Sequence, residues 1–148
     1  MNKLLTPLLF LLILMGYGCT QNNGYIGPVF GSWSLTEISE DGVSLEMTGE
    51  TVFSFQNEVV QIVRFDSEFS RLTRYGNFTV SDDVMTMTFM TELTPENQGY
   101  QFLMPAWLYF PTGKMPLVFE IKTLKGSKMV LSLDDGRKTY VYTFSRTW

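Results

Sequence analysis

The 148-residue chain contains no histidine and one cysteine. Without an imidazole it has no side chain that ordinarily titrates near neutrality, so Ser-His-Asp and Cys-His nucleophilic sites and histidine metal sites are excluded as a class. One thiol cannot close an intrachain disulfide, and a fold without crosslinks must rest on its apolar core. Basic side chains are scarce as well: 11 Lys and Arg stand against 15 Asp and Glu. That balance argues against nucleic acid as a partner, because phosphate binding is driven by basic patches. There is no internal repeat, no low-complexity tract and no convincing amphipathic helix. What the chain has in quantity is apolar side chains, 45% of the residues, with aromatics at 15%, in a length that is the prior for a single domain.

The first eighteen residues, MNKLLTPLLFLLILMGYG, open on Lys3, run apolar from Leu4 to Met15 and close in small residues. This is the layout of a secretory signal, and it falls short of the ~20 apolar residues of a resident transmembrane helix. Cys19 follows directly. Met15-Gly16-Tyr17-Gly18-Cys19 resembles the lipobox of bacterial lipoproteins, whose first mature residue is a cysteine carrying a thioether-linked diacylglycerol. Gly18 suits the position before the cysteine, whereas Gly16 stands where most lipoboxes carry leucine. The resemblance implies lipidation at Cys19, attachment to the membrane through that anchor, and a place in the bacterial cell envelope, at the outer membrane. Two or three acyl chains on one cysteine hold stably where a single chain, at ~0.8 kcal/mol per methylene, holds marginally. Residues 19–28 read as a polar tether spanning roughly 30 Å at ~3.3–3.6 Å per residue, which leaves 29–148 as the folded domain.

From there the pattern has period two. Trp33 and Leu35 share a face before a turn at 40–42; Phe53 and Phe55 alternate with polar neighbours before a turn at 56–58 and the run VVQIVRF. Phe78 and Val80 lead to a turn at 81–83, followed by Met85, Met87 and Phe89; Leu117, Phe119 and Ile121, then Met129, Leu131 and Leu133, precede a turn at 134–136. The last run places Tyr140, Tyr142, Phe144 and Arg146 on one face. Alternation bounded by Gly, Asp, Asn and Ser predicts half-buried strands joined as hairpins, roughly eight or nine of them. Such strands either close into a barrel or pack as two sheets. One segment, GYQFLMPAWLYFP at 99–111, is apolar on both parities with Pro105 in its middle, which a central strand does not tolerate. It reads as a bulged edge strand, a loop over the end of a barrel, or an exposed apolar surface. The preceding TPENQG has Thr94 and Pro95 placed to start one helical turn.

Gly31-Ser32-Trp33 resembles the Gly-x-Trp signature of the lipocalins, where the tryptophan plugs one end of an eight-stranded barrel and an arginine near the chain end packs across its ring. Arg146 is the counterpart here. YGNFTVSDDVMTMTF at 75–89 and FEIKTLKGSKMVLSLDDGRKTYVYTF at 119–144 look like the lipocalin-like domains of lipoproteins from Bacteroidetes-type bacteria. The resemblance implies an all-β fold, an antiparallel up-and-down eight-stranded lipocalin-like β-barrel, with Gly31, Trp33 and Arg146 as its structural signature. The Thr-Asp-Tyr motif and the cysteine pair of long-chain lipocalins are missing.

The paired acids Asp82-Asp83 and Asp134-Asp135 sit in turns next to Ser or Gly, where turn formation accounts for them better than a carboxylate dyad or calcium. No catalytic residue, metal site or cofactor is expected. The inward set, Phe53, Phe55, Phe78, Met85, Met87, Phe89, Phe119, Met129, Tyr140 and Tyr142, is polarizable and adaptable. An eight-stranded barrel either fills with such side chains or keeps room for one small ligand. The leading expectation is a membrane-anchored lipocalin-like lipoprotein that binds a small hydrophobic molecule against these residues. The alternative is a non-catalytic interaction protein of the envelope, an inhibitor or assembly subunit with a filled barrel, whose partner is met by Phe102, Trp107 and Tyr109.

Overall fold

The computed structural model describes residues 27–67, 70–93 and 99–147. The leader, Cys19, the tether up to residue 26, the turn expected at Thr94 and Pro95, and Trp148 lie outside the described residues. Nine strands are present: β1 Gly31–Glu40, β2 Val43–Ser44, β3 Glu50–Gln56, β4 Val59–Ser67, β5 Ser70–Ser81, β6 Val84–Thr88, β7 Leu117–Lys125, β8 Lys128–Asp134 and β9 Thr139–Arg146. All pairings are antiparallel, each strand from β3 onward pairs with the next, and β9 returns to β1. The sheet is therefore a closed, eight-stranded, up-and-down barrel, and closure removes the exposed edges that an open sheet presents. The ninth strand, β2, pairs only with Ser39 and Glu40 at the end of β1.

The buried residues follow the alternation in the sequence: Phe53 and Phe55 on β3, Val60 and Ile62 on β4, Met85 and Met87 on β6, Met129, Leu131 and Leu133 on β8. Besides a register shift between Phe65 and Ser67 on β4, two β-bulges break it. Between Leu35 and Glu37 the β1–β9 register slips by one residue, so the inward parity passes from Trp33 and Leu35 to Ile38. A second slip between Ile121 and Thr123 brings Leu124 against the core. An extra residue in one strand re-aims every side chain beyond it and increases the local twist that a barrel needs.

Three two-residue connections gather at one end of the barrel, joining β3 to β4, β5 to β6 and β7 to β8. Each begins with a residue in the left-handed region, Asn57 (φ 54°), Asp82 (φ 51°) or Gly126 (φ 51°), the residue types that adopt it with least strain. Trp33 and Arg146 lie at this end, paired across β1 and β9. The other end carries the longer connections 41–49, 89–116 and 135–138. Within 89–116, Met90 bridges to Leu103, and two 3-10 turns, Tyr100–Phe102 and Ala106–Leu108, carry the chain back over the barrel mouth. Of the three forms open to 99–111, the loop over the barrel end is the one adopted. Pro105 is buried at the start of the second turn, outside any strand.

Candidate functional site

All ten residues of the expected lining set are buried and belong to one apolar core. They are packed on one another. Toward the closed end, Phe53 meets Phe144 edge-on at 4.9 Å and Phe55 meets Phe78 likewise at 4.9 Å. Toward the open end, the hub is Phe110, a residue of the long connection: its ring centroid lies 6.0 Å from Phe89, 5.7 Å from Phe119 and 5.5 Å from Tyr142. Phe89 enters the barrel because β5 offers a glycine opposite Val60. A Cβ on Gly76 would stand 2.6 Å from the Phe89 ring, so any side chain there displaces it.

Leu108 and Phe110 together plug the mouth. Leu108 is fully buried and Phe110 nearly so, while Tyr109 between them sits at φ 56°, ψ 24°. A bulky residue in the left-handed region stores on the order of 1–3 kcal/mol of strain, held here by tertiary contacts. The Tyr109 hydroxyl donates to the Glu46 carbonyl at 2.8 Å, tying the plug to the 41–49 connection. Tyr142, from inside the barrel, donates to the Leu108 carbonyl at 2.8 Å. Burial pushes the Tyr142 phenol far above its ordinary value, so the folded barrel holds it neutral. The sign follows: a raised folded pKa contributes stability that is intact below the unfolded value, about 10, and is lost as pH rises beyond it. Tyr142→Phe is expected to cost about 1–3 kcal/mol at neutral pH, because the Leu108 carbonyl loses its donor. Above about pH 10 the gap to the unmodified protein narrows. Urea unfolding at the two pH values checks both statements.

The plug also carries Trp107. Its ring lies under two guanidiniums, with Arg64 Cζ 4.7 Å and Arg74 Cζ 5.5 Å from its centroid. Trp107 is thus half-buried against the barrel mouth. Tyr109, 40% exposed, is committed to Glu46, and Phe102, 42% exposed, packs near Tyr75 at 6.1 Å. Of the three, Phe102 and Tyr109 are exposed and Trp107 is half-buried. Phe102 borders an outer cleft of about 340 Å³ with Val59, Tyr75, Gly76, Asn77, Phe89 and Met90. Of the ten expected lining residues, only Phe89 reaches it.

At the closed end Arg146 Cζ lies 4.5 Å from the Trp33 ring centroid. Trp33 Nε1 donates to the Val29 carbonyl at 2.9 Å and Arg146 Nη2 to the Pro28 carbonyl at 2.5 Å. The carbonyl of Pro28, the last residue of the expected tether, thus accepts a hydrogen bond from the end of β9. The paired acids are turn formers. Asp82 takes the left-handed position of its turn. Asp134 Oδ1 accepts from Gly136 N, and Asp135 Oδ1 accepts from the amides of Lys138 and Arg137, which hold its carboxyl below the usual range. Among the described residues no group of three or more Cys, Asp or Glu is placed to hold a metal ion.

A model of the lipocalin-like domain family matches residues 12–144. Among solved structures, a lipocalin-like protein from Bacteroides uniformis is similar with a TM-score of 0.55 at 18% identity, covering 82% of this chain and 100% of its own. An uncharacterized protein from Bacteroides eggerthii is similar with a TM-score of 0.55 at 18% identity, covering 77% and 97%. No curated protein matches. At that identity the structural likeness is one of fold. The family match runs over nearly the whole barrel whose closure, bulges and end contacts are described above, and the chain belongs to the lipocalin-like domain family.

Proposed function

We propose that the chain is a non-catalytic lipoprotein, held to the outer membrane through Cys19, whose barrel takes up a small apolar molecule. The observation that carries this reading is the origin of the core at the open end. There the central ring, Phe110, and its neighbour Leu108 come from a connection whose described pairing is one isolated bridge, Met90 to Leu103, folded back through a strained Tyr109. Side chains delivered by a loop leave by moving the loop, whereas the strand side chains beneath them cannot. A ligand that displaces this plug meets Phe89, Phe119, Met87 and Tyr142, an apolar surface of the kind small-molecule sites present. The apolar leader and the cysteine behind it support the anchor.

The test is native mass spectrometry of the mature protein after exposure to a bacterial lipid extract, paired with limited proteolysis. A one-to-one complex is expected, with cleavage within 103–113 rising when the ligand is bound. In cells, Cys19→Ser is expected to move the protein out of the membrane fraction. A protein that takes up nothing and keeps its plug equally protected refutes the ligand reading. That result would favour the second reading, an envelope protein seated on the outer cleft beside Phe102 and Tyr75, where apolar side chains remain exposed.

A further inference from the structure

The inner faces of β4 and β5 change character toward the open mouth. Val60 and Ile62 point inward and are fully buried, and Arg64 continues the same parity; across the ladder Ile62 stands opposite Arg74 and Arg64 opposite Leu72. Two guanidiniums are therefore carried on the barrel's inward face. Arg64 is paired with Asp66, Nε to Oδ1 at 2.7 Å and Nη2 to Oδ2 at 3.2 Å. The Nε contact is not aligned as a hydrogen bond. Arg74 donates to its neighbour's carbonyl, Thr73 O, at 3.0 Å, and no carboxylate among the described residues pairs with it. Both cations lean on one indole, and that indole belongs to the plug.

The two ends of the barrel can be compared directly. Around Trp33 the indole N–H and the arginine Nη2 are both bonded to carbonyls, and one donor, Arg146 Nε, is left over. Around Trp107 the indole N–H and Arg74 Nε are shielded from solvent without a hydrogen-bond acceptor, and Arg64 Nε meets only the misaligned carboxylate of Asp66. Neighbouring cations whose donors are only partly used are complementary to an oxyanion, and the planar arginine fork suits carboxylate or phosphate. When the plug leaves, Trp107 leaves with it, and the two guanidiniums lose the ring face that covered them.

We infer that Arg64 and Arg74 form an oxyanion seat at the barrel mouth, so that the ligand is an amphiphile with an anionic head and an apolar chain. This rests on the ligand reading above, and the experiment separates the two. The mature protein is titrated calorimetrically with dodecanoate, dodecyl phosphate and 1-dodecanol, each below its aggregation limit, at neutral pH. At least one of the two anions is expected to bind about tenfold or more tighter than the alcohol, a gap that corresponds to about 1.4 kcal/mol. The tighter anion names the head group. In the Arg64→Met, Arg74→Met double variant, whose apolar stems still cover Trp107, the preference is expected to fall below about threefold. Equal affinity for alcohol and anions in the unmodified protein overturns the seat while leaving the apolar pocket standing, with no variant required. Binding of none of the three overturns both. An unchanged preference in a double variant that melts cooperatively overturns the assignment to these arginines.

Discussion

Replacing Trp33 by alanine lowers the unfolding free energy by about 3–5 kcal/mol, read from urea titration of the mature domain. Three losses coincide at that position. The side chain is fully buried at the closed end, so its removal opens a cavity that the surrounding strands, fixed by closure, collapse around only in part. The Val29 carbonyl loses the indole donor at 2.9 Å, and Val29 is itself fully buried. Arg146, directly across the ladder, loses the ring it covers at 4.5 Å and keeps only the Pro28 carbonyl. Domains of this kind are stable by about 5–15 kcal/mol, so the substitution removes a large share of the total. Arg146→Ala is expected to be milder, about 1–2 kcal/mol, because it deletes the stack and one hydrogen bond without opening a core cavity. The double variant then costs less than the two singles added together, since both remove the same contact. Strict additivity would mean that the guanidinium and the indole are neighbours without being coupled.

Much of this arrangement is legible in the sequence because a strand with one buried face writes its orientation in every second residue. Phe53 and Phe55, Met85 and Met87, and Met129, Leu131 and Leu133 are all buried as their parity requires. The same rule placed Arg146 beside Tyr142 and Phe144, and its stacking follows from the register. Parity fails where the backbone gains a residue. Nothing in Leu35-Thr36-Glu37-Ile38 announces a bulge, and only pairing with β9 shows that Ile38 has changed sides. Parity also contained a signal that an eye for apolar residues passes over: in VVQIVRF the third inward position is Arg64, and in TRYGNF the inward set is Arg74, Gly76 and Phe78. Cations on a buried parity at the end of two paired strands mark a barrel mouth. The plug was the least legible part. Residues 99–111 are apolar throughout, so no period separates Leu108 and Phe110, which enter the core, from Tyr109, which the left-handed backbone turns outward.

Phe110→Ala is expected to reduce stability by about 3–5 kcal/mol in the absence of ligand and, unlike other core truncations, to strengthen uptake of an apolar chain. The first effect follows from its place as the hub of the open-end cluster, touching Phe89, Phe119 and Tyr142. The second follows from population. If the closed barrel must release its plug before a ligand enters, the observed affinity is the intrinsic one reduced by the fraction of open protein. Removing the ring weakens the closed state alone and raises that fraction. Phe53→Ala provides the contrast, since Phe53 is also buried, lies on a strand and contacts Phe144 and Phe55 away from the plug. It is expected to lose similar stability with no gain in affinity for 1-dodecanol. Ligand at 100 times its dissociation constant restores about 2.7 kcal/mol to whichever protein binds it, so urea unfolding with and without 1-dodecanol reports both quantities from one titration. Equal rescue of the two variants would make the added affinity a property of any cavity and would remove the plug from the account of uptake. Rescue confined to Phe110→Ala locates the entry at the end of the barrel where Leu108 and Phe110 close over Tyr142.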